Sequence, residues 1–330
     1  MNPTRRSALL ATLGALGTLT RTAWANDSAY PARPIRLVVP FPAGGGTDII
    51  ARTVARQLSE TLGWSLVVDN RPGAGGNLGV DLVAKAAPDG YTLVLGQTSN
   101  LAINPTLYRK LPYDPRKDLA PVVLAVSAPL VLVVRAGSPI RSLADLLEQA
   151  RRSPGKLVFG TPGNGTVAHL SAELLQKSAG IRMQHIPYKG ASQALTDLMG
   201  GQLDLYLSSV PTALNQIKAG QLRALGVTSR QRTGQLPQVP TLAESGQKGL
   251  EGFDTSTWFG FLAPAGTPPE RLSTLNKAVN QALLSPRVRE RLQAEGGDVV
   301  GGSASEFADL LRQDLGRWAQ VVHDSGAQID

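Results

Sequence analysis

The stretch VVPFPAGGGTD at residues 38–48 decides the fold of this chain. The apolar residues 35–39 predict a β-strand that runs into a glycine-rich loop, and a helix is predicted from Thr47-Asp48 onward. The first N–H groups of a helix have no partner inside it, and the helix dipole places about half a positive charge there. Because glycine lets a ligand approach the backbone closely, we interpret this loop as an anion cradle that holds a carboxylate; an ordinary tight strand-to-helix turn is the alternative.

Strands and helices alternate through the first half of the chain. The predicted strands are 35–39, 64–69 and 91–95, and the predicted helices are 48–62 and 77–87. This β-α-β-α-β order predicts a parallel sheet whose ligands bind at the carboxyl ends of the strands. Two further loops stand at such ends, the glycine-rich residues 70–77 and the polar residues 97–100. Prolines at 105, 112, 115 and 121 then predict a long connection.

The second half repeats this plan. Its predicted strands are 129–134, 157–160, 181–186, 203–207 and 222–227, and Gly165-Thr166 begins a helix directly after a strand, as Gly46-Thr47 does. A further strand, 257–262, is predicted to cross back, and helices 270–284, 286–295 and 305–322 follow. Two crossings, near Val131 and Phe261, between similar α/β halves predict a clamshell with a hinge.

Composition excludes several classes of function. There is no cysteine, which excludes disulfides and thiol chemistry, and the three histidines (His169, His185 and His323) lack the spacing of a zinc site. We therefore expect no metal and no cofactor. The basic residues are scattered and aromatic residues make up 5% of the chain, which argues against nucleic-acid binding.

Residues 1–25 are predicted to be a cleavable export signal. Arg5-Arg6 precede an apolar run at 7–20, which is too short for a permanent membrane span, and Ala23-Trp24-Ala25 is a typical cleavage site. Removal of Arg5, Arg6 and Arg21 would lower the formal charge from +8 to +5. The mature chain is expected to be exported, by the general secretory or the twin-arginine route.

Many ordered motifs resemble those of the Bug proteins, the substrate-binding proteins of tripartite tricarboxylate transporters. The motifs are Tyr30-Pro31, Val39-Pro40-Phe41, Gly44-Gly45-Gly46-Thr47-Asp48, Asn70-Arg71-Pro72-Gly73-Ala74-Gly75-Gly76, Pro88-Asp89-Gly90-Tyr91-Thr92, Asn104-Pro105, Leu111-Pro112-Tyr113-Asp114, Ile186-Pro187-Tyr188-Lys189-Gly190, Pro240-Thr241-Leu242-Ala243-Glu244, Trp258-Phe259-Gly260, Ala263-Pro264-Ala265-Gly266-Thr267-Pro268 and Arg317-Trp318. They extend over almost the whole mature chain.

The resemblance implies a two-lobed α/β periplasmic binding protein of type II, a Venus flytrap with two hinge-crossing strands. Lobe 1 is predicted to comprise 26–127 and 256–330, and lobe 2 to comprise 128–255. The implied ligand is a small carboxylate: a di- or tricarboxylate, an acidic amino acid or an aromatic acid. The implied partners are the membrane permease subunits of a tripartite tricarboxylate transporter, or a sensor, and a monomer suits a clamshell.

The resemblance also indicates where the ligand lies. One carboxylate is expected between the loops 41–47 and 73–76, and second-lobe residues set ligand identity. The residues predicted to bind the ligand are Phe41, Ala43, Gly44, Gly45, Thr47, Gly73, Ala74, Gly75, Gly76, Thr98, Ser99, Gly165, Thr166, His169, Tyr188, Lys189, Gly190 and Asp204. After Tyr188-Lys189-Gly190 the family often has Pro-Ala, whereas this chain has Ser192-Gln193-Ala194, so no particular substrate is transferred.

An exported enzyme is the alternative. Residues 73–79 are similar to a dinucleotide fingerprint with one residue too many, but Leu95 is followed by Gly96-Gln97, where an acidic residue for the ribose would be needed. Residues 190–194 place Ser192 between a strand and a helix, as in a serine hydrolase, although the last residue is alanine where glycine is usual. We therefore expect binding without chemistry.

Overall fold

One mixed β-sheet carries the fold. In the computed structural model, which describes residues 30–188 and 191–329, ten strands join this sheet. They are β1 (Ile35–Val39), β2 (Leu66–Asn70), β3 (Thr92–Gln97), β4 (Leu119–Arg135), β5 (Val158–Thr161), β6 (Gln184–Pro187), β7 (Leu205–Ser209), β8 (Leu222–Val227), β9 (Ser256–Pro264) and β10 (Asp298–Val299). Their order is β2-β1-β3-β9-β4-β7-β5-β6, with β8 and β10 also paired to β4.

Helices cover this sheet, and most were predicted. The α-helices are α1 (Gly46–Leu62), α2 (Asn77–Ala84), α3 (Asn104–Leu107), α4 (Leu143–Arg152), α5 (Val167–Ala179), α6 (Ala191–Gly200), α7 (Val210–Lys218), α8 (Pro269–Leu284), α9 (Pro286–Ala294) and α10 (Ala304–Ser325). Short 3₁₀ turns lie at Ala74–Gly76 and Ala243–Ser245, and a π-helical turn lies at Ser99–Ile103. The sequence analysis did not predict α3, α4 or α7.

The first half of the described chain has the predicted parallel sheet. β1 pairs in parallel with β2 on one side and with β3 on the other. Four of the five residues of β1 are buried, because helices cover both faces of the strand. The loops that follow β1, β2 and β3 therefore lie along one edge of the sheet.

The second half repeats this arrangement around β5. This strand pairs in parallel with β6 and with β7. The loops after β5, β6 and β7 again share one edge, and α5 begins at the end of the loop after β5. Both halves thus present carboxyl-end loops.

Two long antiparallel strands connect the halves. β4 pairs with β9 from Leu119 to Pro129, and from Leu130 onward it pairs with β7 and β8 instead. The predicted strand 129–134 was too short, because Pro121 was interpreted as part of a connection. Pro121 lies inside β4 next to a register irregularity, one of the positions where a strand tolerates proline.

The first 29 residues are outside the described part, so the predicted export signal is not described. Residues 33–330 form one compact unit, and residues 30–32 belong to the segment before it. Within the described residues, no helix combines the length and the apolar character needed to cross a membrane.

Candidate ligand-binding cleft

A cavity of about 360 Å³ lies where the loops of the two halves meet. Its walls combine apolar side chains with neutral polar groups, and none of the lining residues in the described ranges carries a charge. The lining residues are Phe41, Gly75, Gln97, Ser99, Asn104, Leu107, Tyr108, Leu130, Pro162, Asn164, Gly165, Thr166, Val167, Ala168, Ala191, Tyr206, Ser209, Thr257 and Ile329. Five of the predicted residues are on this wall: Phe41, Gly75, Ser99, Gly165 and Thr166.

The loop after β1 brings Phe41 to the cavity and leaves the start of α1 open. Gly45 is the N-cap of α1 and has no side chain that could accept a hydrogen bond from the first turn. Ala43, Gly44 and Gly45 are exposed beside the cavity and do not line it, while Thr47 is buried. The first N–H groups of α1 are therefore not satisfied by a side-chain cap.

Asp48 fixes the shape of this loop. Its carboxylate accepts hydrogen bonds from the Gly44 N–H (2.9 Å), from Arg52 Nε (2.9 Å) and from Asn70 Nδ2 (3.0 Å). Burial would raise the pKa of Asp48, but these hydrogen bonds outweigh burial and hold the pKa at about 2. The charge of Asp48 is thus compensated inside the loop, and Asp48 is not on the cavity wall.

The loop after β2 has an unusual backbone. Four consecutive residues, Gly73 to Gly76, have φ values of 137°, 47°, 65° and 94°. Ala74 is the one non-glycine residue in the described ranges with positive φ. Gly75 lines the cavity at φ 65°, and a Cβ there would lie 2.9 Å from the Tyr108 hydroxyl. Position 75 therefore has room only for glycine.

A buried amide network supports this second loop from below. Asn104 Nδ2 donates to Asn77 Oδ1 (2.6 Å) and to the Gly75 carbonyl (3.3 Å). Tyr113 donates to Asn77 Oδ1 (3.0 Å) and to the Asn100 carbonyl (2.5 Å), and burial raises its pKa. Asn100 Nδ2 is buried without a hydrogen-bond partner. The loop therefore rests on neutral hydrogen-bonding groups.

The end of β3 supplies Gln97 and Ser99 to the cavity, and Gln97 Nε2 donates to Ser99 Oγ (3.0 Å). Thr98 points elsewhere. Its fully buried hydroxyl accepts from the Trp258 N–H (2.8 Å) and donates to the Ser256 carbonyl (3.3 Å). Thr98 thus ties β3 to β9 and does not line the cavity, and its predicted ligand contact stays a prediction.

In the second half, Gly165 and Thr166 reach the cavity. Thr166 caps α5: its hydroxyl accepts from the His169 N–H (3.2 Å) and donates to the Gly163 carbonyl (2.8 Å). Gly165 has φ 69°, and a Cβ there would lie 2.5 Å from Leu107 Cδ2. Because Leu107 belongs to the first half, the two halves touch at this point.

His169 stands behind the Gly165 loop and not on the cavity wall. Its Nδ1 accepts from the Gly165 N–H (3.1 Å), and its ring stacks on His185 with centroids 4.1 Å apart. Burial lowers the pKa of both histidines, and proximity to His169 lowers that of His185 further, to about 4. Neutral His169 therefore positions the Gly165 loop, and its predicted ligand contact stays a prediction.

Tyr188 and Asp204 are not on the cavity wall either. The Tyr188 hydroxyl donates to Asp197 (2.8 Å), which with burial raises the pKa of Tyr188 to about 12. Asp204 accepts from the Val158 N–H (2.8 Å) at the amino ends of β5 and β7 and does not line the cavity. The ligand contacts predicted for Tyr188 and Asp204 stay predictions. Lys189 and Gly190 are outside the described residues.

Sequence reasoning missed several residues that line the cavity: Gln97, Asn104, Tyr108, Asn164, Ser209, Thr257 and Ile329. Gln97 carried a usable signal, because it ends a strand in the parallel sheet. Ile329 carried none, because nothing in the local pattern places the segment after α10 beside α3. A smaller cavity of about 200 Å³ shares Leu130, Ser209 and Thr257 and extends to Gly46.

Comparison with known proteins places this chain close to one family of receptors. Residues 50–327 match the family described as the tripartite tricarboxylate transporter family receptor. The chain is 40% identical over 331 residues to protein BugT of Bordetella pertussis, and the match covers 100% of both chains.

Three solved structures are similar over nearly their whole length. The R. palustris protein Rpa4515, with adipate, is 37% identical with a TM-score of 0.76, and the match covers 91% of this chain and all of that one. MatC from Rhodopseudomonas palustris, with bound malate, is 33% identical with a TM-score of 0.72, covering 89% of this chain and all of that one. A 30% identical solute-binding protein from Polaromonas has a TM-score of 0.80 over 89% of this chain and 99% of that one. These similarities confirm the predicted two-lobed α/β fold of type II binding proteins.

Proposed function

This chain belongs to the tripartite tricarboxylate transporter family of receptors, and from that premise we propose that it captures a small carboxylate in its cleft and delivers it to a membrane transporter. The family consists of substrate-binding receptors, which confirms the expectation of a receptor and not an enzyme. The dinucleotide-dependent and serine-hydrolase alternatives are therefore set aside.

One observation carries the proposal for the ligand: the cavity is bounded by loops of both halves that offer neutral donors. Gly75, Gln97 and Ser99 come from the first half, and Asn164 comes from the second. Two helix starts without side-chain caps, those of α1 and α2, follow the loops of the first half. Backbone N–H groups at such starts stabilise an anion without a positively charged side chain.

A neutral site suits a receptor that must release its ligand. Burying an ion pair in a closed cleft carries a large desolvation cost, which the attraction between the charges must offset. Amide and hydroxyl dipoles bind a carboxylate and still permit its exchange with water. The ligand contacts both halves, so it favours the closed form by its differential contacts with that form.

The ligand class follows from size and from relatives. A cavity of about 360 Å³ holds a molecule of a few carbon atoms with two polar ends. The related proteins Rpa4515 and MatC have adipate and malate in their structures. We therefore assign this chain to small aliphatic carboxylates, with dicarboxylates as the first choice.

The remaining assignments complete the proposal. Lobe 1 comprises 26–127 and 256–330 and lobe 2 comprises 128–255, since β4 exchanges β9 for β7 and β8 next to Pro129. The mature protein acts in the periplasm as a monomer after removal of residues 1–25. Its partners are the permease subunits of a tripartite tricarboxylate transporter.

Thermal unfolding against a panel of carboxylates tests the binding proposal. The mature protein is first unfolded and refolded to remove any ligand that co-purifies. A ligand at ~100 times its dissociation constant stabilises by about 2.7 kcal/mol, which raises the melting temperature measurably. Nicotinamide cofactors and uncharged analogues of the same length are the controls. Stabilisation by the uncharged analogues alone would refute a carboxylate receptor.

Transport is tested separately. Vesicles that contain the permease subunits should accumulate the labelled acid only when the mature protein is supplied outside. Equal uptake without the protein would refute its role as the receptor of that transporter and leave the binding result intact.

A further inference from the structure

The segment after α10 forms part of the cavity wall. Gly326 ends α10 at φ 65° and turns the chain back toward the first half. Ile329 then lines the cavity together with Leu107 and Tyr108. Its side chain is partly buried and packs against the main hydrophobic core.

Backbone hydrogen bonds fix the position of this segment. The Ile329 N–H donates to the Leu107 carbonyl (2.8 Å), and the Arg109 N–H donates to the Ile329 carbonyl (3.2 Å). These two bonds form a parallel bridge between Ile329 and Tyr108. Arg109 also donates to the Gln328 side chain (3.2 Å). The wall is therefore an ordered surface that a ligand must fit.

The bridged residues lie between the two loops that would hold the ends of a ligand. The Tyr108 hydroxyl faces Gly75 of the first half, and Leu107 faces Gly165 of the second half, each so closely that a Cβ would clash. Leu107, the Tyr108 ring and Ile329 give this wall an apolar part. A ligand that reaches from one loop to the other must place its middle portion against this wall.

We infer that Ile329 is a specificity-determining residue: it sets the length of the aliphatic chain that the cleft accepts between the two polar ends of a ligand. This inference rests on the proposed function, and it adds a part of the chain outside the loops to which ligand choice was assigned. Shortening Ile329 makes room for a longer or bent chain, and enlarging it removes that room.

The experiment measures dissociation constants of linear dicarboxylates of four to eight carbons by calorimetry. The wild-type protein is compared with Ile329→Ala and Ile329→Phe, and Ile217→Ala is the matched control because Ile217 is a partly buried isoleucine of α7 away from this cavity. We expect Ile329→Ala to move the best-bound length upward by one or two carbons and Ile329→Phe to move it downward. Each methylene that gains or loses its contact changes affinity about fourfold, which corresponds to about 0.8 kcal/mol.

The outcomes separate the two claims. Tight wild-type binding with the same length preference in both Ile329 variants would overturn the role of Ile329 and leave the proposed function standing. Failure of the wild-type protein to bind any member of the series would overturn the proposed ligand class, and the inference with it. A uniform loss of affinity at every length, with a lowered melting temperature, would show that Ile329 only stabilises the fold.

Discussion

At the scale of single residues, two glycines of the candidate site have opposite properties. Gly75 has φ 65° and faces Tyr108 and Asn104, so a Cβ would meet both side chains. Gly45 has φ −80°, and a Cβ there would make only an ordinary 3.6 Å contact with the Pro42 carbonyl. The room for a Cβ atom thus distinguishes Gly75 from Gly45, although both stand in similar glycine-rich loops of the sequence.

The first prediction compares Gly75→Ala with Gly45→Ala. We expect Gly75→Ala to weaken carboxylate binding at least tenfold, because the left-handed backbone costs an alanine roughly 1–2 kcal/mol and the clash displaces Tyr108. Calorimetry and thermal unfolding measure both effects. Gly45→Ala should stay within about threefold of wild type, and an equal loss in both variants would contradict this account.

The histidine pair behind the second-half loop is the other residue-scale feature. His185 Nε2 lies 2.6 Å from Thr161 Oγ1, and the His185 ring also stacks on Phe159. His169 Nε2 lies 3.7 Å from Glu173, a carboxyl group whose pKa burial raises. Since burial lowers the pKa of both histidines, the folded protein resists protonation of this pair.

The second prediction concerns stability at acidic pH. An unfolded histidine takes up a proton near pH 6.5, whereas His185 in the folded protein does so only near pH 4. The contribution of neutral His185 to stability is therefore fully present above pH 6.5. The free energy of unfolding should fall by about 1–2 kcal/mol as the pH drops to 4, after allowance for solvent screening. Urea unfolding of wild type and His185→Gln across this range measures the difference.

His323→Gln, which replaces an exposed histidine of α10, is the control and should keep the wild-type slope. Glu173 acts in the opposite direction. Its pKa is raised in the folded protein, so the folded state binds its proton more tightly and becomes more stable as the pH falls. The comparison of the histidine variants isolates their own effect. A wild-type slope in His185→Gln would rule out titration of this pair as the cause.

At the scale of elements, α1 is held at its start by a residue inside its own first turn. Asp48 accepts hydrogen bonds from the preceding loop, from the next turn of α1 and from the end of β2. The loop and the strand that flank the cleft are thus joined through one buried carboxylate. Its folded pKa of about 2 reflects those three donors.

The third prediction follows from that carboxylate. We expect Asp48→Ala to cost about 1–3 kcal/mol at pH 7, because three donors lose their acceptor, and to weaken ligand binding by releasing Gly44. This loss of stability should shrink as the pH falls from about 4 to 2, because protonation then removes the negative charge of Asp48 from the wild-type protein too. Asp309→Ala, an exposed change on α10, should cost little at either pH. Denaturant titrations measure these differences, and a cost independent of pH would argue against the ionised carboxylate.

At the scale of the whole molecule, β4 and β9 connect the two halves. Residues 131–134 of β4 are fully buried between β7 and β8, while its earlier residues pair with β9. Any rotation of one half against the other must therefore be absorbed near Pro129 and Ser256, where β4 changes partners. The cavity lies at this same boundary, since Leu130 and Thr257 line it.

The fourth prediction is that ligand protects both halves together. At ~100 times the dissociation constant, hydrogen exchange of loops 73–76 and 162–166 should slow about a hundredfold if it proceeds through ligand-free opening. Mass spectrometry of the amides measures this effect. At the same ligand concentration, Gly75→Ala should reduce the protection of both loops to about tenfold or less. Protection confined to one half would refute a ligand that bridges the cleft.

The local pattern was enough for most elements and for part of the site. Period-2 and period-3.6 hydrophobic patterns predicted most strands and helices, because local sequence dictates which face is buried. The glycine-rich loops were located correctly as strand-to-helix connections, and four of their residues that were predicted to bind the ligand line the cavity: Phe41, Gly75, Gly165 and Thr166. The length of β4 was missed because a proline inside a strand is tolerated only through a bulge that the sequence does not reveal.

The sequence by itself determined the α/β class, the repeated strand–loop–helix plan, the receptor family and the absence of cysteine chemistry. Only the tertiary structure decided which side chains meet. Thr98 and Asp204 are engaged by strands far away in the sequence, His169 turns to a backbone N–H behind its loop, and Ile329 reaches the cleft through a bridge to Tyr108. The physical reason is that local patterns fix which face of an element is buried, whereas the partner of each polar group depends on contacts between residues distant along the chain.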